Sequence, residues 1–373
     1  MAQFGSALVW GARGRKFKSC RPDHFKLNRR HGFKSHDDFF ISNTRFISEV
    51  VYTKESNYER KRHDTMTAMS KKQGYGKVIW IGEHAVVYGH EALALPLKSA
   101  SVDVSLQSST EDRLISPFYT GLVTNAPNLF KPIQALFFQL KEHFASPPLL
   151  VEIDLNMPLA AGMGSSAAIA AALTRTFYDY FDRPLELPVL YEWIQYAEAL
   201  AHEKPSGVDA TVIAYEKPLR FMKGEASHFI ELKREGYLLV MDSGLKGRTK
   251  DAVLSIRSTM DDSKTQQHIA ILGSLSKTFI ETLHTATLNT LGHYMNEAHT
   301  HLKALGVSAK TLDDMCELAL QHGALGAKLT GGGLGGCMMA LMDTKATLDH
   351  VIETFHEAGY RRYWVLNLRE DFS

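Results

Sequence analysis

A glycine-rich turn followed by two serines is the first segment that could do chemistry. Residues 158–168 read Pro-Leu-Ala-Ala-Gly-Met-Gly-Ser-Ser-Ala-Ala, and a helix is predicted to begin at Ser165. The backbone N–H groups of such a turn and the positive end of the helix can bind an anion, and the Ser166 hydroxyl can reach a metal ion. The alternative is a plain strand-to-helix turn with Ser165 or Ser166 as the N-cap. No lysine follows the glycines as it would in a Walker motif.

A second glycine-rich segment lies nearer the C-terminus. Residues 331–336 read Gly-Gly-Gly-Leu-Gly-Gly and follow Lys328-Leu-Thr330. Glycine disfavours the interior of helices and strands, so these residues are not there to stabilise regular structure. The predicted gain is a close approach of the backbone to a ligand. A flexible hinge or a tight hairpin is the alternative.

Two carboxylates form the third candidate, because Glu198 and Asp209 flank a predicted break at residues 205–207. One of them can therefore end a helix while the other faces a cleft. A carboxylate can ligate Mg²⁺ through oxygen or accept the proton of a hydroxyl group. A charged helix end in solvent is the alternative for each residue taken alone.

The composition is that of an ordinary globular protein. Of 373 residues, 45% are hydrophobic and 22% are charged, which excludes disordered and collagen-like chains. Cys20, Cys316 and Cys337 are too few for a disulfide framework and lack metal-site spacing. The net charge of +1 gives no electrostatic argument for nucleic acid, and no apolar run approaches the roughly 20 residues that span a bilayer. We therefore expect a cytoplasmic protein without a membrane segment.

The charge is unevenly distributed along the chain. Residues 1–65 contain 14 Lys and Arg against 7 Asp and Glu, a net of +7, whereas the other 308 residues carry 28 basic and 34 acidic groups, a net of −6. Residues 1–65 also lack a sustained apolar period, so this basic leader is predicted to be disordered or weakly helical.

Three hypotheses account for the basic leader. It is an organellar transit peptide, a nucleic-acid-binding arm, or the translation of sequence upstream of the true gene. The third is favoured, because Phe17-Lys18-Ser19 can be encoded by TTC-AAA-TCC, which matches the T-arm pattern of transfer-RNA genes. Met66 or Met69 would then be the natural start.

From Gly76 onward, the pattern predicts two α+β domains, residues 66–235 and 236–373. Helices are predicted at 165–180 and 187–202, and most of 250–321 is predicted to be helical. The predicted strands lie at 77–81, 92–97, 101–107, 149–155, 219–222, 228–232, 237–241, 336–342 and 362–368.

A fourth segment connects the first three to a known family. Residues 76–89 read Gly-Lys-Val-Ile-Trp-Ile-Gly-Glu-His-Ala-Val-Val-Tyr-Gly. In this order the segments resemble the GHMP kinase superfamily and, within it, the mevalonate kinase family, over about residues 76–368. Residues 82–89 are the most specific part, since galactokinases have Thr-Asp after the Glu-His pair. The resemblance implies a two-domain fold with an N-terminal domain like ribosomal protein S5 and a ferredoxin-like C-terminal domain.

The resemblance also implies a role for each candidate residue. Mg²⁺ would be held by Ser166 and Glu198. Asp209 would be the catalytic carboxylate near the C5 hydroxyl of mevalonate, with Lys77 beside it. The residues implied to bind ATP are Gly162, Met163, Gly164, Ser165 and Ser166, and those implied at the mevalonate site are Glu83, His84 and Thr249.

The implied reaction transfers the γ-phosphoryl group of ATP to (R)-mevalonate in isoprenoid biosynthesis. Phosphomevalonate kinase, or another GHMP kinase for a different small alcohol, is the alternative within the family. A non-catalytic ATP sensor would need a broken catalytic set, yet Lys77, Ser166, Glu198 and Asp209 are all present. A nucleic-acid-binding protein would depend on residues 1–65 alone. The expected partners are therefore ATP and mevalonate, with no membrane or nucleic acid and with a homodimer left open.

Overall fold

Two β-sheets with helices packed against them make up the part of the chain that the computed structural model describes, residues 69–201 and 206–372. These residues belong to one unit, residues 60–373. The basic leader lies outside the described residues, so the three hypotheses for it stay predictions. Residues 202–205, which include Pro205 of the predicted break, also lie outside them.

The first sheet is organised around one long strand. Its members are β1 (Ser70–Ile81), β2 (Glu91–Ser108), β3 (Arg113–Ser116), β4 (Tyr119–Leu122), β5 (Leu149–Leu155), β6 (Leu219–Met222) and β7 (His228–Phe229). The hydrogen-bonded order is β4-β3-β5-β2-β6-β7, with β1 also paired to β2. Only the β3–β5 pair is parallel among the described strands of this sheet. The strand predicted at 228–232 is thus shorter than expected.

The prediction of separate strands at 92–97 and 101–107 is wrong, because β2 is continuous there. The register with β1 shifts opposite this point, so residues 98–100 form an irregularity within one strand. Lys98 and Ser99 are exposed in it and interrupt the apolar alternation. That interruption is the reason that one strand has the sequence pattern of two.

The second sheet is antiparallel throughout its described strands. It consists of β8 (Tyr237–Asp242), β9 (Gly326–Thr330), β10 (Cys337–Met342) and β11 (Tyr363–Asn367), in the order β11-β8-β10-β9. Strand β9 was not predicted from the sequence. Residues 331–336 connect the antiparallel strands β9 and β10 and so form the loop of a β-hairpin.

Helices pack against the sheets and carry several residues of the candidate site. They are α1 (Lys131–His143), α2 (Ser165–Tyr180), α3 (Leu187–Ala201), α4 (Val208–Tyr215), α5 (Thr249–Ser258), α6 (Ser263–Thr282), α7 (Leu288–Ala304), α8 (Lys310–Gln321) and α9 (Lys345–Glu357). The helix predicted at 165–180 is confirmed over its whole length as α2, whereas α1, α4 and α9 were not predicted. Alanines fill much of the buried surface of α2, and their small side chains allow close packing on the sheet.

Strand β1 connects the two sheets. The Thr330 hydroxyl of β9 accepts from the Ile79 N–H at 3.2 Å and donates to the Ile79 carbonyl at 3.0 Å. Trp80 is fully buried, its Nε1 donates to Met295 Sδ at 3.3 Å, and its ring meets Phe279 edge-on with centroids 5.1 Å apart. These contacts fix β1 against the second sheet and its helices. The predicted domain boundary at residue 235 stays a prediction.

Candidate active site

Lys77 and Asp209 form an ion pair in the candidate site. Lys77 is on β1, its side chain is 5% exposed, and its Nζ lies 3.0 Å from Oδ1 of Asp209. Asp209 is in the first turn of α4, which begins after Gly207 at a positive φ of 88°. The Asp209 side chain is 30% exposed, so its carboxylate contacts the lysine and also reaches solvent. The two residues predicted to be catalytic are therefore adjacent.

Glu198 lies in the last turn of α3 and belongs to the same charged cluster. Burial and the negative charge of Asp209 raise the pKa of Glu198 to about 7. A hydrogen bond with Ser166 and the positive charge of Lys77 act in the opposite direction. The structure thus brings together Lys77, Ser166 and the Glu198–Asp209 segment, which come from three separate parts of the sequence.

The glycine turn at residues 162–164 leads directly into α2 beside Lys77. Gly164 is the N-cap, with a φ of 70°, and no side chain caps the helix. The alternative in which Ser165 or Ser166 is the N-cap is therefore wrong, because both serines lie inside the helix. A Cβ at Gly164 would lie 3.1 Å from Cγ of Lys77, so the absence of a side chain lets the turn pack on the lysine.

Met163 connects this turn to both sheets. Its carbonyl accepts from the backbone N–H of Lys77 at 2.9 Å. Its side chain is 1% exposed, and its Sδ accepts from Cys337 Sγ of β10 at 3.5 Å. The side chain is thus part of the core, and a contribution of Met163 to ATP binding would come from its backbone.

The second glycine segment packs its backbone directly on the first. A Cβ at Gly331 would lie 2.7 Å from Cα of Gly162, and a Cβ at Gly162 would lie 3.0 Å from Cα of Gly331. Both residues have a φ of 82°, a conformation that favours glycine. The structure therefore shows a close approach between two loops of the chain, and the predicted approach of this segment to a ligand stays a prediction.

Glu83 and His84 lie in a buried turn between β1 and a 3₁₀ helix, Ala85–Tyr88. The Glu83 carboxylate pairs with the ammonium of Lys328 on β9, and these side chains are 2% and 0% exposed. His84 Nε2 donates to the carbonyl of Gly332 at 3.1 Å. Burial lowers the pKa of His84 to about 4, so its imidazole is neutral near pH 7.

Lys328 is the residue of this cluster that sequence reasoning missed. Its segment, Lys328-Leu-Thr330, belongs to the motifs that carry the family resemblance, but the resemblance implied no role for the lysine. The signal was a single charge in an otherwise apolar stretch, Ala327-Lys328-Leu329, directly before a tight turn. A buried ammonium is costly without a partner, so such a lysine implies a carboxylate nearby.

Thr249 begins α5 and lies against the same glycine segment. The Cβ that Gly332 lacks would lie 2.0 Å from Thr249 Oγ1. The backbone N–H of Arg248 donates to the Gly333 carbonyl at 3.2 Å. Thr249 and His84, both implied at the mevalonate site, therefore contact the same glycine.

The donor set of the cluster fits Mg²⁺. Among residues 69–201 and 206–372, no group of three or more His, Cys, Asp or Glu side chains could hold a metal ion by itself. Ser166 and Glu198 nevertheless supply the oxygen donors that Mg²⁺ prefers. Glu198 and Asp209 also place two carboxyl groups near the ammonium of Lys77. A cation that also binds phosphate oxygens would be attracted to these carboxyl groups.

Comparisons with known proteins identify the family. Residues 128–217 match the GHMP kinases N terminal domain, and residues 279–361 match the GHMP kinases C terminal model. Mevalonate kinase of Aeropyrum pernix is 30% identical over 310 residues, which cover 79% of this chain and 95% of that protein. The chain belongs to the mevalonate kinase family of GHMP kinases.

Solved structures confirm the GHMP kinase fold. Mevalonate kinase from methicillin-resistant Staphylococcus aureus is 30% identical, with a TM-score of 0.64, and the match covers 81% of this chain and 100% of that one. L. major mevalonate kinase, in complex with R-mevalonate, is 22% identical, with a TM-score of 0.68 and coverage of 83% and 99%. The α+β two-domain fold predicted from the sequence is confirmed.

Membership of the GHMP kinases makes the chain an ATP-dependent phosphotransferase. The predicted role of the glycine turn before α2 in binding ATP stays a prediction. In the described ranges, none of the helices combines the length and the apolar character needed to span a membrane.

Proposed function

We propose that this chain transfers the γ-phosphoryl group of ATP to the C5 hydroxyl of (R)-mevalonate, giving 5-phosphomevalonate and ADP for isoprenoid biosynthesis. The observation that carries the proposal is the Lys77–Asp209 ion pair beside the glycine turn, in a chain of the mevalonate kinase family. The cytoplasmic location and the homodimer considered above stay predictions.

Asp209 and Lys77 act on the acceptor hydroxyl in this proposal. Lys77 binds Oδ1 of Asp209, which leaves Oδ2 to orient the hydroxyl and to accept its proton. The Lys77 ammonium stabilises negative charge on the attacking oxygen and on the transferred group. Phosphoryl transfer depends mainly on in-line positioning and charge neutralisation, and the pair supplies both.

The glycine turn and the first turn of α2 bind the ATP phosphates. The first N–H groups of a helix have no partner within the helix, and Gly164 offers no side chain to satisfy them. Ser166 and Glu198 would hold Mg²⁺, which neutralises phosphate oxygens when bound. A cation beside Glu198 would also favour its ionised form, against the burial that raises its pKa.

In this proposal mevalonate binds near Gly332. The His84 imidazole and the Thr249 hydroxyl both lie against this glycine and offer polar contacts to a small hydroxy acid. The Glu83 carboxylate is paired with Lys328, so it does not bind the substrate directly. It instead helps to position the turn that carries His84.

A substrate panel with the purified chain and Mg-ATP tests the proposal. We expect ADP release that requires both mevalonate and Mg²⁺. ADP release with phosphomevalonate or another small alcohol, and none with mevalonate, would instead support the alternative GHMP kinase activity.

Glu198→Gln tests the metal site, since loss of the Glu198 charge should raise the Mg²⁺ concentration needed for half-maximal rate. An unchanged Mg²⁺ dependence would remove Glu198 from the metal site.

A further inference from the structure

The buried Lys328–Glu83 pair joins the second sheet to the turn that follows β1. Both side chains are almost completely buried, and the Lys328 ammonium also donates to the Leu329 carbonyl at 2.7 Å. A buried ion pair is weak evidence for stability, because the cost of removing two charges from water offsets most of their attraction. The pair therefore needs another explanation, and its position beside the site supplies one.

The turn that Glu83 belongs to has an unusual backbone. Gly82 and His84, on either side of Glu83, have φ values of 100° and 61°. His84 is a non-glycine residue with positive φ, a conformation that persists only where surrounding contacts impose it. A Cβ at Gly82 would lie 2.4 Å from the Glu91 carbonyl oxygen, so one side of the turn is packed against β2. The Glu83 carboxylate, bound by Lys328, holds the other side against β9.

Glu83 also interacts electrostatically with a lysine of the catalytic pair. Burial raises the pKa of Glu83, whereas the positive charges of Lys328 and Lys77 lower it. Lys77 in turn binds Asp209. Glu83 thus interacts electrostatically with the same lysine that binds Asp209.

We propose that Lys328 is a positioning residue for the acceptor side of the active site. Its ammonium binds Glu83, and this contact fixes the turn that carries His84 against Gly332. The role rests on the proposed function, because it assigns Lys328 to the binding of the acceptor alcohol rather than of ATP.

A second ion pair provides a matched control. Lys141 on α1 binds Asp112 at 2.6 Å, and their side chains are 14% and 21% exposed. Neither residue contributes a side chain to the active site. Lys141→Met should therefore lower the melting temperature without changing the KM for the acceptor or for ATP.

The experiment compares Lys328→Met, Glu83→Gln and the double variant with the wild type and with Lys141→Met. We expect Lys328→Met to raise the acceptor KM about tenfold or more, since small displacements of positioning groups cost up to about a hundredfold. The KM for ATP should stay within about twofold. The double variant leaves no buried charge behind, so it should recover melting temperature while its acceptor KM stays as high as that of Glu83→Gln.

The outcomes separate positioning from stability alone. A wild-type acceptor KM in Lys328→Met, or an effect no larger than that of Lys141→Met, would overturn the proposal. If Lys328→Met does not fold, the double variant is measured in its place, and a wild-type acceptor KM there would overturn it equally. A wild-type chain that ignores mevalonate would count against the proposed function instead, and the variants would then be compared with the alcohol that it does phosphorylate.

Discussion

Asp209 is the residue at which chemistry and binding can be separated. Asp209→Asn keeps the size of the side chain and leaves the glycine turn intact, but it removes the carboxylate next to Lys77. General-base contributions are typically about 10²–10⁴-fold, so we expect at least roughly a hundredfold loss in kcat. Binding of Mg-ATP should be nearly unchanged, as measured by titration calorimetry. A variant that turns over near the wild-type rate with only a raised mevalonate KM would make Asp209 a substrate contact.

His299 shows how burial of a single titratable residue affects stability. It lies on α7, where its Nδ1 accepts from the Leu329 N–H at 3.3 Å and its Nε2 lies 3.2 Å from Asp313 Oδ1. Burial lowers the pKa of His299 to about 4, with further lowering by Lys328 and Lys303, while Asp313 opposes the shift. In the unfolded chain the pKa returns to about 6.5. As the pH falls from about 6.5 to 4, His299 therefore becomes protonated in the unfolded chain but stays neutral in the folded protein.

His299→Asn should make stability less dependent on pH. The wild type should lose on the order of 1–2 kcal/mol of unfolding free energy through this residue between about pH 7 and pH 5, and the variant should not. Urea unfolding at the two pH values measures the difference. His293→Asn is the control, because His293 is on the same helix and is 74% exposed. Equal pH dependence in the wild type and His299→Asn would show that the proton uptake on unfolding occurs elsewhere.

Among the helices and strands, the sequence predicts those elements that are specified by a local pattern of residues. Helix α2 follows glycines and has a helical apolar period, so its bounds could be read directly. Strand β9 could not, because all five of its residues are buried and its central lysine breaks the apolar run. The β2 irregularity also depends on the shift against β1, which is a tertiary contact.

The contact between the two glycine segments gives a prediction for these elements. Gly331→Ala would place a Cβ 2.7 Å from Cα of Gly162 and should push the loops apart, thereby raising the KM for ATP. Steady-state kinetics measure this change. Gly359→Ala is the control, since Gly359 has a φ of 94° and no atom within 4 Å of the added Cβ. It introduces similar backbone strain without the clash, so its KM for ATP should be normal. Equal KM values in the two variants would mean that the spacing of the loops does not affect ATP binding.

At the scale of the whole molecule, the site is assembled from segments that are distant in the chain. Each motif was visible in the sequence because its residues are contiguous, and the predicted Lys77–Asp209 pair is observed. The Lys328–Glu83 pair joins residues 245 positions apart, and no local pattern specified it. Long-range partners of this kind require the tertiary structure.

The packing of α6 against the residue before β2 provides the test at this scale. A Cβ at Gly273 would lie 2.1 Å from Nδ1 of His90, which follows the Ala85–Tyr88 helix. Gly273→Ala should gain about 0.5–1 kcal/mol from helix propensity but lose about 1–3 kcal/mol to overpacking, so its melting temperature should fall. Adding His90→Ala removes the clash and should restore most of the loss, and calorimetry of both variants measures the coupling. The exposed Ser274→Ala on the same helix should change little. If the double variant were no more stable than Gly273→Ala, the His90 contact would not limit how closely α6 packs against the turn after β1.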